Sequence, residues 1–319
     1  MKSIGLRALH SLLLLVGASV LSILLVRLAP GDYFESMRIN PQISNRTIAA
    51  LRSQYGLDKP LPVLYWHWAQ SALKGEGGFS FAYNSAAGPI LWPRAQNTLL
   101  LAGCATLLAW MIALPAGVLA AARRGSWADL LASGTIALLL AIPELVLGLV
   151  LLLFAVHTGF PAGGMISAAR AEAGFWDKSR DVIRHLFMPA VCLAAGLLPL
   201  LLSHVRAAME EALRSPFILA ARGFGISFRR VLLRHALPAA LNPIISLFGL
   251  SVGLLMSSSL LVEAIFGWPG LGKLMLQAIA DRDLFLVIDS TMLGTGFLIA
   301  GNFVADILLY LCDPRIRAD

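Results

Sequence analysis

The eight residues GWPGLGKL, Gly267 to Leu274, come within one position of the phosphate-binding loop G-x4-G-K-[ST]. That loop needs a strand before it, and a Ser or Thr after the lysine to hold magnesium. Here Leu274 follows Lys273 and the preceding residues end an apolar run, so nucleotide chemistry is not expected at this turn. Asp289 and Asp306 lie in the last apolar run and invite comparison with a proton-sharing carboxylate pair. Their spacing along a helix puts them roughly 25 Å apart, too far to share a proton, and Asp306 fits a cap at the end of its helix. The six histidines show neither HExxH nor i, i+4 pairing, and no GxSxG is present. Cys104, Cys192 and Cys312 are scattered through apolar runs without CxxC spacing, which suits packing rather than a disulfide or a metal. The residue types therefore offer no enzyme constellation and call for no cofactor. One carboxylate stands out: Glu144, the only charge between Leu130 and Val156. A charge inside an apolar span is expensive and marks a functional site by default.

The elements that must position these residues are membrane helices. Of 319 residues, 58% are hydrophobic and only 13% charged, against about a quarter charged in soluble domains. Six runs are long enough to cross about 30 Å of hydrocarbon: residues 9–28, 98–122, 130–156, 186–205, 242–262 and 284–311. Prolines 115, 143, 189 and 199 fall inside spans, where neighbouring helices can satisfy the freed backbone groups. The first run resembles a signal peptide, but it is long and lacks a small-x-small cleavage site, so a retained span is expected. The formal charge of +7 fits loop arginines better than a nucleic-acid surface. The expected fold class is an all-α membrane protein of six transmembrane helices.

Six spans put both termini on one side, with the loops 123–129 and 206–241. That side carries twelve Lys and Arg residues. The other side carries six once the seven from Arg27 to Arg94 are set aside, in a segment too long for the positive-inside rule. The termini are therefore expected in the cytoplasm. The chain divides into residues 1–28, an extracytoplasmic segment 29–97, a five-helix region 98–312 and a tail 313–319. Within 29–97, the stretch from Ile43 to Leu73 reads as two short amphipathic helices broken at Asp58–Pro60. Tyr65, Trp66 and Trp68 in it suit a membrane interface, as a packed cap or as a docking surface.

The 206–241 loop is the most unusual stretch. Six arginines lie between Arg206 and His235. At about 2.5–3.5 kcal/mol each near the bilayer centre, burying them in lipid would cost on the order of 15–20 kcal/mol. The loop stays outside, yet it is patterned. Ser215 supplies an N-cap hydroxyl, Pro216 presets the first helical torsion, and Gly225 supplies a left-handed stop. Phe217, Ala220, Ala221 and Phe224 fall at i, i+3, i+4 and i+7, so two aromatics flank an alanine patch on one face. Ile218 and Arg222 share another face, and a second helix capped by Ser227 leads to Pro238. A short capped helix with aromatic knobs fits the groove of another protein, or packs on its own bundle.

The loop resembles the EAA loop of permease subunits in bacterial ABC importers, with Glu211, Ala212, Gly225, His235 and Pro243 at the pattern's positions. The stretches LVRLAPGDYF, LRSQYGLDKPLPVLYWHW, VEAIFGWPGLGKLMLQAIADRD and VADILLYLCDPRIR resemble the dipeptide/oligopeptide/nickel group, and within it the first of two unlike permeases. The resemblance implies a type I permease fold and import by alternating access. It implies four kinds of partner: a second, unlike permease subunit, two cytoplasmic ATP-binding subunits, an extracytoplasmic substrate-binding protein, and lipid. It makes Glu211, Ser215, Pro216, Phe217, Ala220, Ala221, Arg222, Phe224, Gly225 and His235 the ATPase-coupling residues. Pro216, Phe224 and Pro238 depart from the family's acidic, lysine and arginine residues. Glu144 is expected either to line the translocation path or bond across a subunit interface, or else to be neutral and hydrogen-bonded locally. Asp289 is a second candidate for the path. An ion-driven secondary transporter is the alternative; it calls for discontinuous helices or paired intramembrane charges, which the sequence does not display.

Overall fold

The computed structural model describes residues 2–28, 31, 33–36, 44–54, 56–170 and 172–312. The expected tail 313–319, with Arg315 and Arg317, lies outside the described residues. The chain divides into two compact units, residues 1–98 with 269–296 and residues 99–268 with 297–319.

In the first unit, apolar side chains outnumber what a short segment can bury alone, so helices fold onto one another. Its elements are α1 (Lys2–Leu28), α2 (Tyr33–Ser36), α3 (Asn45–Gln54) and α4 (Leu61–Leu73), followed by strands β1 (Phe79–Ser80) and β2 (Ser85–Ala86). The two strands are antiparallel, with Phe79 opposite Ala86. The chain turns between α3 and α4 at Gly56, whose φ of 68° favours glycine. Phe34, Leu64, Trp68, Phe81, Phe285 and Ile288 belong to this unit's core. Phe81 takes part in ring contacts with Tyr33, Phe34, Phe79 and Phe285. Arg27, at the end of α1, donates to the Leu57 carbonyl at 2.7 Å and ties the turn before α4 to the span.

In the second unit a long helix, α8 (Phe175–Arg214), contacts most of the others. The remaining helices of this region are α5 (Ala87–Ala122), α6 (Trp127–Ala141), α7 (Glu144–Thr158), α9 (Pro216–Gly223), α10 (Phe228–Val231) and α11 (Leu237–Ile265); α12 (Leu271–Ala280) and α13 (Leu284–Cys312) complete the chain. The core is rich in alanine: Ala105, Ala109, Ala113 and Ala120 of α5 and Ala190 and Ala194 of α8 are buried. Small residues let apolar helices approach closely where lipid offers no hydrophobic drive. The same logic governs α11 and α13. A Cβ on Gly301 would meet Val252 at 2.7 Å, and one on Gly249 would meet Asn302 at 2.7 Å.

Among the described residues five helices are long and apolar enough to cross a membrane: residues 9–28, α5, α8, 228–265 and 284–311. The third expected span, 130–156, is not one helix. It is α6 and α7, meeting at 98°. The cause is Pro143, which the sequence reading treats as a tolerated interruption. Its ring pushes the preceding residue out of helical torsions, and Ile142 is extended at φ −98°, ψ 116°. Each half has 15 residues, about 22 Å, short of the hydrocarbon thickness. Counting the bent pair as one span restores six. Pro189 and Pro199 do lie inside α8, as expected.

Between α10 and α11 the helix widens to a π-turn, Leu232–Ala236, closed by the Leu237 N–H donating to the Leu232 carbonyl. Pro238 explains it. Proline has no N–H for the Arg234 carbonyl, so the regular i, i+4 ladder fails there and a wider turn takes over.

Candidate coupling site

The end of α8 and the loop after it build the site. Arg214 ends α8 and Ser215 follows in extended torsions, φ −65°, ψ 145°. The sequence assigns the Ser215 hydroxyl to the N-terminus of the next helix. Instead it donates to the Ala212 carbonyl at 2.6 Å and closes the helix behind it. The orphan carbonyls of α8 lie one turn away, and the Ile218 N–H that a cap would accept is already bonded to the Ser215 carbonyl. The backbone starts α9: Ile218 and Leu219 both donate to the Ser215 carbonyl at 3.1 Å. Gly225 ends it at φ 76°, with its N–H on the Arg222 carbonyl at 3.0 Å. That torsion is the left-handed one the sequence calls for.

Eight residues make a marginal helix in isolation. What holds α9 is Ile218, at 0% exposure, in an apolar cluster with Val118, Val205, Met209, Ala212 and Val231. Burial of such a side chain contributes about 1.5–3 kcal/mol. Ile218 therefore sets the inward direction of the helix. The opposite side carries Phe217, 52% exposed, Leu219, and Phe224, 87% exposed. Ala220 and Pro216 are exposed with them, and Glu211 is exposed on the last turns of α8. Ala221 is half-buried and packs on the Ile218 cluster, so the expected four-residue face is split. Ala221 is three residues from Ile218 and shares its side of the helix. Exposed Arg222 places its guanidinium 5.8 Å from the centre of the Phe228 ring, a cation–π contact. His235 sits half-buried in the π-turn.

A charge cluster that the sequence reading passes over lies beneath α9. Arg206 pairs with Asp129 at 2.9 Å and with Glu210 at 3.1 Å, and donates to the Ser133 hydroxyl at 2.7 Å. Glu210 also takes Arg124 and Arg214, each at 3.3 Å. Its i, i+4 spacing from Arg206 is visible in the sequence, but the pairing with Asp129 is not.

The two carboxylates proposed for a path are placed differently. Glu144 does not sit in the middle of a continuous span; it opens α7 directly after Pro143. There the unsatisfied N–H groups and the helix dipole favour a carboxylate. It is half-buried, lies 3.4 Å from where a Cβ on Gly196 would be, and shares a hydrogen bond with the Ser258 side chain. Asp289 is 6% exposed in the first unit and both its oxygens are engaged. Trp68 Nε1 donates at 2.7 Å and the Gly78 N–H at 3.1 Å. Asp283, buried at the start of α13, is the residue missed nearby: it accepts from the Ser80 hydroxyl at 2.7 Å and the Ala82 N–H at 3.1 Å. Its position just before an apolar run is a cap signal that could have found it. Together Asp283 and Asp289 fasten the β1–β2 hairpin to α13.

Residues 113–318 match the family described as "Binding-protein-dependent transport system inner membrane component". The chain belongs to this family. The permease is 36% identical over 314 residues to the oligopeptide transport system permease protein AppB of Bacillus subtilis (strain 168), covering 98% of each chain. It is 32% identical over 320 residues to the dipeptide transport system permease protein DppB of Escherichia coli (strain K12), covering 95% of this chain and 94% of the other. Among solved structures, a permease-fold chain of the inward-facing MetNI methionine ABC transporter superposes with a TM-score of 0.57 at 20% identity, over 70% of this chain and 96% of that one. The fold is the type I permease fold, and the chain is an inner membrane transport component. The reading as an ion-driven secondary transporter gives way to this membership.

Proposed function

We propose that this permease forms one half of an inward path for short peptides, beside a second, unlike permease, and is driven by two cytoplasmic ATP-binding subunits. α9 is its coupling helix. The observation that carries this reading is an eight-residue helix anchored by Ile218 that leaves Phe217 and Phe224 largely in solvent. Exposed aromatics grouped at one short helix outside the lipid support a protein interaction site there. The names of the relatives, oligopeptide and dipeptide permeases, support peptides as cargo, and a separate extracytoplasmic binding protein selects among them. In this reading both termini and the 206–241 loop face the cytoplasm, and the segment 29–97 faces out. Linkage then requires that docking of a loaded binding protein outside and ATP binding inside favour one another; stimulated ATP hydrolysis is the expected readout.

Glu144, at the elbow between α6 and α7, lines the path or bonds across the permease–permease interface. Asp289, with its oxygens on Trp68 and Gly78, serves transport indirectly by holding the external hairpin in place. The test is Phe217→Asp and Gly225→Pro in the complete importer. Both variants insert into the membrane but lose uptake, and Phe217→Asp also loses co-purifying ATP-binding subunits. Normal uptake by both refutes the coupling assignment.

A further inference from the structure

The cluster around Arg206 joins two pieces of chain that the sequence keeps apart, the start of α6 with the turn before it and the end of α8. Asp129 and Ser133 lie in the first turns of α6, Glu210 and Arg214 in the last turns of α8, and Arg124 in the turn between α5 and α6. Asp129 is itself fixed, because the Gly125 N–H donates to its other oxygen at 2.9 Å. Arg206 is the common member. Its side chain is 24% exposed, and those of Asp129 and Glu210 are 12% and 20% exposed. Such a pair is only partly screened by water. The guanidinium fork is suited to holding two carboxylates in fixed directions, which a lysine ammonium is not.

Position matters more than strength here. α8 runs into α9 through Ser215 alone, and the Ser215 hydroxyl is tied back to Ala212. A displacement of α9 therefore reaches the end of α8 with little slack. From there Arg206 is the polar link to α6, and α6 is the half-helix that ends at the Pro143 elbow, directly before Glu144. α6 also packs along α8, and Arg206 adds to that apolar contact a polar one with fixed partners.

We infer that Arg206 is a positioning residue for transport: together with Asp129, Ser133 and Glu210 it forms a strut that makes α6 follow the coupling helix, so that movement of α9 is felt at the α6–α7 elbow. This rests on the reading of α9 as the coupling helix. Arg206 touches neither cargo nor nucleotide; it acts through α6. Without the strut the ATP-binding subunits still find Phe217 and Phe224, but what they do is no longer transmitted across the membrane.

The experiment uses the complete importer with its partner subunits, reconstituted in proteoliposomes, and its own binding protein isolated with the ligand it carries. The readout is the factor by which that binding protein stimulates ATP hydrolysis, alongside subunit stoichiometry. Arg206→Met alone strands two carboxylates, so Asp129→Asn/Arg206→Met is the decisive variant: it removes the strut without leaving Asp129 charged and unpaired. The double variant keeps its ATP-binding subunits at the parent stoichiometry and loses at least nine-tenths of the stimulation. Ser133→Ala, which deletes one bond of the strut, loses a smaller share. Stimulation equal to the parent's in the double variant overturns the strut. Loss of the ATP-binding subunits from the double variant also overturns it, because Arg206 then serves assembly rather than transmission. Phe217→Asp, run in parallel, separates the two ideas. If it keeps its subunits and full stimulation, the coupling helix itself is wrongly assigned; if it loses them while the double variant is unaffected, only the strut fails.

Discussion

Ile218→Ala should detach α9 from the membrane bundle while leaving the spans intact. The side chain is fully buried in the cluster with Val205, Met209, Ala212 and Val231, and the variant deletes three of its carbons. Truncations of this kind in packed cores cost about 2–5 kcal/mol. The helix has eight residues and no side-chain cap bond, so it has little intrinsic stability with which to absorb the loss. Each 1.4 kcal/mol is about tenfold. The lower end of the range therefore raises the population of the detached helix about thirtyfold. Amide hydrogen exchange across residues 216–226 reads this directly, since local opening sets the exchange rate. Exchange at Leu219, Ala220 and Arg222 should accelerate about thirtyfold or more, with no change in α8 below Val205. Ile218→Leu, which conserves volume, should cost less than about 1.5 kcal/mol and exchange nearly as the parent does. Parent-like protection of α9 in the alanine variant would refute the claim that Ile218 holds the helix in place.

Three further outcomes follow from the packing. Asp283→Ala orphans the buried Ser80 hydroxyl and the Ala82 N–H, at about 1–3 kcal/mol each; protease cleavage between residues 76 and 86 should rise sharply, and an unchanged rate would show that the hairpin is held by other contacts. Gly301→Val puts a Cβ 2.7 Å from Val252 and should cut the yield of folded protein in membranes, whereas Gly103→Ala, with nothing within 4 Å, should leave it unaltered. Glu144→Gln keeps the shape and removes the charge; uptake should fall while assembly persists, and unchanged uptake would reduce Glu144 to a local partner of Ser258.

Much of this architecture could be read from the residues because the largest energies are local to the chain. Lipid-length apolar runs, arginines that lipid will not accept, and a Ser-Pro start with a glycine stop each have one cheap solution. The failures share a cause. Pro143 reads equally well as a tolerated proline or as a break, and only packing decided that α6 and α7 turn away from each other by 98°. Glu144 consequently opens a helix at the elbow, where the sequence alone suggests a place inside one continuous helix. Ser215 had two helix ends within reach and the sequence does not say which it serves. Arg206 and Asp129 lie on different helices with the whole of α7 between them in sequence, and Asp283 meets partners some two hundred positions earlier. Nothing local specifies either.

The π-turn at Leu232–Ala236 has a consequence of its own. In a helix with every donor present, a widened turn can wander, one exchanged bond at a time, until it reaches an end. The imino acid at Pro238 blocks that migration, because there the narrow turn can never close. The joint between the arginine-rich loop and α11 is therefore pinned to one place in the sequence, and a bend made there is made at the same residues each time.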